Sequence, residues 1–323
     1  MPSLILGTMN ILNPYRSVET NLEEESQMIR SFLLHTPRGW LDSAYYYGKG
    51  ASQARLGLLL QNVDLVDLPR KIASKVNPWH DNDFSSGRLG ALSRSSFQLQ
   101  LDSIYSDLGT VDRLFLHAYD TETPLSETLD TLHECFRKER FFVSWGLSNF
   151  SLHRIHQVVG ICEDTGLVLP KTYQGMYNMF CRSSEEVFPM IQEFGMDFWA
   201  YNPLCGGLLM KPPLKTKGRF DNPVYQSIFG KPSFAEACDK FRHHFPTKEE
   251  RLSHSFSWYS SSSSFLEDLD SMILGATSLS QLEENLKVWD DSKDGRMEKG
   301  VLENIEGFYN SIKKEEEPIY YYE

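Results

Sequence analysis

The sequence predicts an α/β fold: one (β/α)8 TIM barrel, in which eight parallel strands form a closed barrel with helices around it. Short apolar runs alternate along the chain with segments of helical periodicity, as in repeated strand–helix units. The runs number eight, which favours a closed barrel over an open sheet. The chain of 323 residues suits one barrel, and no Pro/Gly linker separates two regions of different composition. We therefore expect a single domain over residues 1–323.

Each predicted strand is a short apolar run that ends near small or polar residues. In chain order the runs are SLILGT (3–8), WLDSA (40–44), KIASKV (71–76), VDRLFLHA (111–118), FVSWGLSN (142–149), KTYQGMYN (171–178), MDFWAYNP (196–203) and SMILGA (271–276). Helical periodicity is clearest over residues 23–34, 91–108, 127–138, 152–165 and 185–194. One more helix should follow the glycine turn at 48–50, with Ser52 as its cap.

The chain between strands seven and eight is much longer than one strand–helix unit requires. Its first part, CGGLLMKPPLKTKGRFDNP (205–223), is rich in Gly, Pro and Lys, and helical segments are predicted over 234–245 and 248–259. Long excursions at the end of a barrel strand are usually binding loops or lids. The charged tail, roughly residues 314–323, should be frayed, although its aromatic end could instead cover a pocket.

Composition and charge argue against several functional classes. The formal net charge of −12 argues against nucleic acid as a partner, because phosphate contacts need clustered Lys and Arg. No apolar run approaches the roughly 20 residues that span a bilayer, and the start, MPSLILGTMN, lacks the basic region of a signal peptide. The five cysteines are widely spaced without a Cys-x-x-Cys pair, which indicates reduced thiols and no metal site. We expect a cytoplasmic protein that binds neither membrane nor nucleic acid.

Four side chains that can act together lie at or just after the ends of strands two, three and four. In a barrel, side chains at the C-terminal ends of the strands face the active site. Strand alternation brings Asp42, Lys75 and His117 to these ends, 33 and 42 residues apart, which is about one strand–helix unit each. Tyr47 follows Asp42 by five residues, on the loop above the strand. We therefore expect the four side chains to converge.

This group is suited to proton donation, because a phenol alone titrates near pH 10 and is too weak an acid at neutral pH. An adjacent Lys75 ammonium would stabilise the Tyr47 phenolate, and Asp42 would hold that ammonium in place. Such an acid can protonate a carbonyl oxygen that becomes an alkoxide. A buried structural ion pair between Lys75 and Asp42 is the alternative interpretation.

An enzyme that reduces a carbonyl group also needs a source of hydride, which no side chain supplies. The sequence carries groups suited to binding a dinucleotide, which could be that source. A GxGxxG motif is absent after the predicted strands, so an open-sheet dinucleotide fold is not indicated. Polar groups suited to a carboxamide follow strands five and six, a tyrosine platform and a glycine turn follow strand seven, and capping groups suited to an anion open the helix after strand eight. In chain order these residues are Ser148, Asn149, Gln174, Tyr201, Asn202, Leu204, Gly206, Gly207, Ser278, Gln281 and Asn285.

Together these motifs resemble the aldo-keto reductase superfamily, and within it the aflatoxin aldehyde reductase branch. The matching segments run almost from end to end of the chain: LGTM, LDSAYYYG, KIASKVNP, VDRLFLHA with Asp120, WGLSNF, LPKTYQGMYN, YNPLCGGLL with GRF downstream, and ILGATSLSQLEENL. The resemblance implies an enzyme that reduces carbonyl substrates, namely aldehydes and some ketones, with NADPH. A cofactor-binding regulatory subunit similar to the potassium-channel β subunits, which share the barrel and the four residues, is the alternative.

The resemblance also implies roles for individual residues. Tyr47 matches the general acid, Asp42 and Lys75 match its tuning partners, and His117 matches the residue that orients the substrate carbonyl. The residues matching those at the nicotinamide carboxamide and ring are Ser148, Asn149, Gln174 and Tyr201.

The residues expected to bind the 2′-phosphate of the cofactor differ from those of many relatives. Gly275 and Gln281 stand where those relatives carry Lys or Arg. The positive charge should then come from the long loop after strand seven, at Lys211, Lys217 or Arg219.

The substrate pocket is the least defined part of the prediction. Candidates for its wall are Met9, Tyr45, Trp79 and Phe180, although aromatic residues at strand ends are often core. Tyr46 is expected to pack. Arg182 could bind a substrate carboxylate, but pairing with Glu185 or Glu186 at a helix start is favoured. Segment 220–246 matches the family poorly and is expected to frame substrate or subunit contacts, which leaves a homodimer open.

Overall fold

The computed structural model of the protein describes residues 3–10, 21–138, 141–212, 226, 229–261, 271–292 and 295–315. Eight parallel strands form a closed barrel in chain order, and the last strand pairs with the first. The strands are β1 Ser3–Gly7, β2 Trp40–Asp42, β3 Lys71–Val76, β4 Val111–Leu116, β5 Phe142–Ser148, β6 Thr172–Met176, β7 Asp197–Tyr201 and β8 Ser271–Gly275. The predicted (β/α)8 barrel is confirmed, and each strand lies within the apolar run that predicted it.

Helices connect and cover the strands. Within the described residues they are α1 Leu22–His35, α2 Ala51–Leu59, α3 Arg94–Leu108, α4 Leu125–Lys138, α5 Leu152–Thr165, α6 Phe188–Glu193, α7 Pro232–His244, α8 Lys248–Ser261, α9 Leu279–Ser292 and α10 Lys299–Asn310. The two helices predicted between strands seven and eight are confirmed as α7 and α8. The last helix, α10, was not predicted.

One local prediction was confirmed only in part, and another was wrong. The helix predicted over 185–194 is a 3-10 turn, Ser183–Val187, followed by the short helix α6, which has a proline in its first turn. Ser52 does not cap α2, because the helix already begins at Ala51 and Gly50 holds the cap position with a left-handed φ of 93°. The buried Ser52 hydroxyl has no hydrogen-bond partner among the described residues.

The N-terminal end of the barrel is filled by a cation between two tryptophans. The Arg113 guanidinium carbon lies 5.0 Å from the ring centroid of Trp40 and 5.3 Å from that of Trp199. Its Nη1 donates to a carboxylate oxygen of Asp197 at 3.0 Å. An apolar layer made of Ile5, Ala73, Phe115, Trp199 and Ile273 occupies the barrel interior. This end is therefore packed for stability, and the opposite, C-terminal end is left for a site.

Helix α2 packs against α3 at a glycine that allows very close approach. A Cβ atom at Gly57 would lie 2.1 Å from the carbonyl oxygen of Asp107 in α3, well inside van der Waals contact. Gly160 in α5, by contrast, has no atom of the described residues outside its own helix backbone within 4 Å of its Cβ position. The two helical glycines therefore differ in packing while sharing the same helical backbone.

We expect Gly57→Ala to lower the free energy of unfolding by about 1–3 kcal/mol, because the added methyl group forces the two helices apart. Gly160→Ala is the control and should raise it by about 0.5–1 kcal/mol through the backbone entropy of the unfolded chain. Urea unfolding followed by circular dichroism measures both. Equal effects of the two substitutions would contradict close packing at Gly57.

Candidate active site

A buried ion pair lies at the C-terminal end of the barrel. Asp42 is the last residue of β2, and Lys75 is the fifth residue of the neighbouring strand β3. The Lys75 ammonium donates to both carboxylate oxygens of Asp42, at 2.8 and 2.7 Å. The Lys75 side chain is 0% exposed and that of Asp42 is 3% exposed. A charge pair with so little solvent requires further hydrogen bonds to be stable.

Every N–H of the Lys75 ammonium is engaged in this pocket. Two N–H groups go to Asp42, and the third goes to the carbonyl oxygen of Ser43 at 2.8 Å. Burial lowers the pKa of Lys75 from its usual range, although the adjacent Asp42 carboxylate opposes this shift. The ammonium therefore acts on its other neighbours through its electric field, since a lysine has three donors and no more.

Tyr47 lies above this ion pair. Its ring centroid is 5.3 Å from the Lys75 Nζ atom and 6.0 Å from the imidazole centroid of His117. The turn that carries it is tight, because Gly48, Lys49 and Gly50 all have left-handed φ angles, of 58°, 56° and 93°. Such a φ is unusual for a lysine, so this turn is strained at Lys49.

His117 follows β4 and faces aromatic rings. Its imidazole centroid is 5.3 Å from the ring of Trp79 and 6.0 Å from that of Tyr46. Within the described ranges, its buried Nδ1 atom has no hydrogen-bond partner. Burial, together with the Lys75 charge, lowers the pKa of His117 well below its usual range. The imidazole is therefore neutral at neutral pH and can donate one N–H bond to a carbonyl oxygen.

The predicted pocket residues fall into two groups. Trp79 lies beside His117, and the half-buried Tyr45 donates its backbone N–H to the Lys75 carbonyl at 3.1 Å. Met9 is half-buried after β1. The Phe180 ring contacts Phe234 and Phe241 of α7 in the main hydrophobic core. Tyr46, which was expected to pack, has Trp79 and His117 as its packing partners and so belongs to the site.

The residues predicted for the nicotinamide form a network beside the ion pair. The Asn149 amide donates to the His117 carbonyl and to the Ser148 hydroxyl, each at 3.0 Å. Its oxygen accepts from the Tyr201 hydroxyl at 2.8 Å. The Gln174 amide donates to the Asp42 carboxylate at 3.1 Å. Asn149 thus connects the ends of β4, β5 and β7, and Gln174 on β6 bonds to the Asp42–Lys75 pair.

The turn after β7 is held by internal hydrogen bonds. Asn202, Cys205, Gly206 and Gly207 all have left-handed φ angles. The Gly206 N–H donates to the Asn202 side chain at 2.9 Å, and the Gly207 N–H donates to the Leu204 carbonyl at 2.8 Å. These N–H groups, predicted to approach a pyrophosphate, are thus bonded within the turn. Lys211 is exposed, whereas Lys217 and Arg219 lie outside the described residues.

The start of α9 combines capped and uncapped polar groups. The Ser278 hydroxyl accepts from the Gln281 N–H at 3.3 Å, and the Gln281 side chain accepts from the Thr277 N–H at 2.8 Å. A Glu24 carboxylate oxygen accepts from the Leu279 N–H at 3.2 Å. Asn285, two turns into the helix and 1% exposed, has no hydrogen-bond partner for either amide atom among the described residues. Burying an amide without hydrogen bonds lowers the stability of the fold. Such a group in a folded protein is typical of a residue that contacts a ligand.

Arg182 has a different partner from those predicted. Its guanidinium forms two hydrogen bonds of 2.8 Å with the Glu306 carboxylate of α10 and lies 4.0 Å from the Tyr309 ring. The predicted pairing with Glu185 or Glu186 is therefore wrong, and Glu185 accepts from the Tyr177 hydroxyl instead. The favoured structural role is supported, since Arg182 ties the last helix to the barrel. Nothing local in the sequence signals a partner 124 residues away.

Two further findings concern other kinds of site. Along the described ranges, no helix is long and apolar enough to cross a membrane, and no cluster of three His, Cys, Asp or Glu side chains could hold a metal ion. The five cysteines are buried free thiols, and burial raises the pKa of Cys162 and Cys238 to about 12. The thiolate forms of Cys162 and Cys238 are therefore disfavoured in the folded protein.

Comparison with known proteins agrees with this geometry. The sequence model of the Aldo/keto reductase family matches residues 3–297. The chain is 32% identical to the mouse aflatoxin B1 aldehyde reductase member 2, over 97% of this chain and 86% of that protein. It is 31% identical to the human member 4, over 94% of this chain and 92% of that protein. A probable voltage-gated potassium channel subunit beta of Arabidopsis thaliana is 28% identical over 57% of this chain and 58% of its own length.

The lowered pKa of His117 predicts a loss of stability in acid. The unfolded state takes up a proton near pH 6.5, whereas the folded state does not, so stability is complete above that pH and falls below it. His117→Asn should reduce this fall. Urea unfolding of both proteins between about pH 7.5 and about pH 5 measures the difference.

His254, whose pKa is also lowered by burial, is present in both proteins, and its contribution cancels in that difference. Parallel pH curves for the wild type and His117→Asn would mean that His117 is protonated equally in the folded and unfolded states.

Proposed function

Because the chain belongs to the aldo/keto reductase family, we propose that it is an NADPH-dependent oxidoreductase that reduces aldehydes, and some ketones, to alcohols. The observation that carries the proposal is the buried Asp42–Lys75 pair, with Tyr47 and the neutral His117 above it. A structural ion pair needs neither of these two neighbours. A proton donor for a carbonyl oxygen needs both.

Tyr47 is the proposed general acid. The substrate oxygen accepts hydrogen bonds from the Tyr47 hydroxyl and the neutral His117 imidazole, and the Tyr47 proton moves to it as negative charge develops. The Lys75 ammonium stabilises the phenolate left behind through its field, because its N–H groups are all engaged elsewhere. Asp42 keeps the ammonium in place. NADPH, when bound, supplies the hydride to the carbonyl carbon.

The residues present fit a nicotinamide dinucleotide. The unpaired amide of Asn285 can donate and accept at once, as the edge of an adenine requires. At the other end, polar groups of Ser148, Asn149 and Gln174 lie beside the ion pair, and Tyr201 offers a ring face. The remaining proposed contacts to the cofactor are Asn202, Leu204, Gly206, Gly207, Lys211, Arg219, Ser278 and Gln281.

The substrate proposal rests on the aromatic wall around His117. Rings of Tyr46, Trp79 and Phe84 form a connected group there, and Trp79 is 3% exposed. An apolar wall next to two hydrogen-bond donors suits small or aromatic aldehydes. The mouse and human relatives, both named as aldehyde reductases, support this class. Met9 and Tyr45 complete the proposed pocket, whereas Phe180, which packs in the hydrophobic core, stays a prediction of the sequence.

A regulatory subunit similar to potassium-channel β subunits is the second candidate. The match to the Arabidopsis protein supports it only in part, because it covers 57% of this chain, whereas the mouse and human aldehyde reductases compared above match over 97% and 94%. We therefore favour the enzyme. The single domain over residues 1–323, the cytoplasmic location and a homodimer stay predictions of the sequence.

Three single substitutions separate the adjacent tyrosines. Tyr47→Phe should lower kcat for aldehyde reduction by at least roughly a hundredfold, because it removes the general acid. Tyr45→Phe and Tyr46→Phe keep the ring contacts and should stay within about threefold of the wild type. NADPH oxidation with a panel of aldehydes measures all three. Full activity of Tyr47→Phe, together with loss of activity in Tyr45→Phe or Tyr46→Phe, would contradict the assignment of Tyr47 as the general acid.

Asn285→Leu should separate stability from cofactor binding. Leucine removes two unpaired buried polar atoms, so the free energy of unfolding of the cofactor-free protein should rise by about 1–3 kcal/mol. The dissociation constant for NADPH should increase about tenfold, as expected for the loss of a net hydrogen bond. Urea unfolding and fluorescence titration measure the two effects. Unchanged NADPH binding would remove Asn285 from the cofactor site.

A further inference from the structure

The hydrogen bond between Gln174 and Asp42 spans the barrel. Gln174 lies on β6 and Asp42 at the end of β2, and β6 is four strands from β2 in either direction around the closed barrel. The Gln174 Nε2 atom donates to Asp42 Oδ1 at 3.1 Å. Gln174 is 3% exposed and Asp42 is 2% exposed. The bond therefore connects opposite walls of the barrel through its interior, where solvent does not compete for it.

Among the described residues, the carboxylate of Asp42 accepts three side-chain hydrogen bonds, two from Lys75 and one from Gln174. Oδ1 accepts from Lys75 and from Gln174, and Oδ2 accepts from Lys75. With Lys75 alone, the carboxylate plane could rotate and lose one of its two bonds to the ammonium. A donor from the opposite wall restricts that rotation and also spreads the negative charge of the carboxylate.

We propose that Gln174 is a positioning residue of the proton-donor group: its amide holds the Asp42 carboxylate so that Lys75 stays beneath Tyr47. This inference rests on the proposed function and adds to the cofactor role of Gln174. An ionised carboxylate only accepts, so the N–H end of the Gln174 amide must face Asp42. The Oε1 end is then the acceptor for the N–H groups of a nicotinamide carboxamide. One side chain thereby touches the proton-donor group on one side and the cofactor on the other.

The inference predicts how the charges around Tyr47 respond to loss of the amide. The titratable groups at this point are Asp42 on β2, Lys75 on β3, His117 after β4 and Tyr47 itself. Without the N–H of residue 174, Asp42 presents more negative charge and holds Lys75 less firmly. Both effects disfavour the Tyr47 phenolate, so the pKa of the Tyr47 phenol should rise.

The test removes the donor while keeping the length of the side chain. In Gln174→Met, an ultraviolet difference titration of cofactor-free protein at the tyrosinate band should show the Tyr47 midpoint at higher pH. Because the chain has 15 tyrosines, each titration is compared with the same background carrying Tyr47→Phe, which isolates one signal. In turnover, kcat should fall about tenfold and the basic limb of the kcat–pH profile should move up by about half a pH unit.

Ser148→Ala is the matched control. Ser148 pairs with Gln174 in the β5–β6 ladder and is a proposed cofactor contact, but its hydroxyl bonds to Asn149 and not to Asp42. This variant should weaken NADPH binding, measured by fluorescence titration, and leave the Tyr47 midpoint where it is in the wild type. Gln174→Leu also removes the donor, should shift the midpoint in the same direction, and serves if Gln174→Met does not fold.

An unchanged Tyr47 midpoint in the Gln174 variants, with weaker NADPH binding alone, would overturn the inference and leave Gln174 as a carboxamide contact. The titration uses neither cofactor nor substrate. A wild-type protein without reductase activity would therefore remove the proposed function, while the titration would still decide whether Gln174 positions Asp42.

Discussion

The ion pair between Asp42 and Lys75 is the constraint around which the C-terminal end of the barrel is organised. Two opposite charges with almost no solvent would destabilise the fold if either lost its partner. The surrounding groups prevent this: the Ser43 carbonyl takes the third N–H of Lys75, and Gln174 reaches Asp42 from the opposite wall. The same groups prevent the pair from relaxing. A field fixed in this way acts on Tyr47 without any reorganisation of water, which is how preorganised sites favour charge development.

The barrel contains a second cation, and the contrast between the two is informative. Arg113, at the N-terminal end, is held by Asp197 and lies between two tryptophan rings. Its charge is therefore used in an ion pair and cation–π contacts that stabilise the fold. Lys75 has a carboxylate partner too, but its remaining neighbours include Tyr47, a group that can titrate. The difference lies in these neighbours, since each cation has one close carboxylate.

Strand periodicity was enough to predict the barrel and the convergence of Asp42, Lys75 and His117, because side-chain alternation and strand order are properties of the chain itself. The contact between Gln174 and Asp42 was beyond reach, since it depends on the width of the closed barrel. Tyr46 was expected only to pack. The directions of the three adjacent tyrosine rings depend on the left-handed turn that follows them, and the sequence GKG indicates a turn without giving its geometry. The partner of Arg182 lies on a helix that the sequence did not predict.

The ladder between β1 and β8 has a consequence for how the chain is made. It pairs Ser3 with Ser271, so 268 further residues are synthesised before the edge of β1 that faces β8 can form its backbone hydrogen bonds. At a synthesis rate of about 5–20 residues per second, that edge is open for roughly 15–50 seconds on the ribosome. An apolar strand with unpaired backbone groups is a template for association with other chains. Each nascent chain of this protein therefore exposes that edge to association with its neighbours until β8 emerges, and the risk is greatest when many copies are made close together.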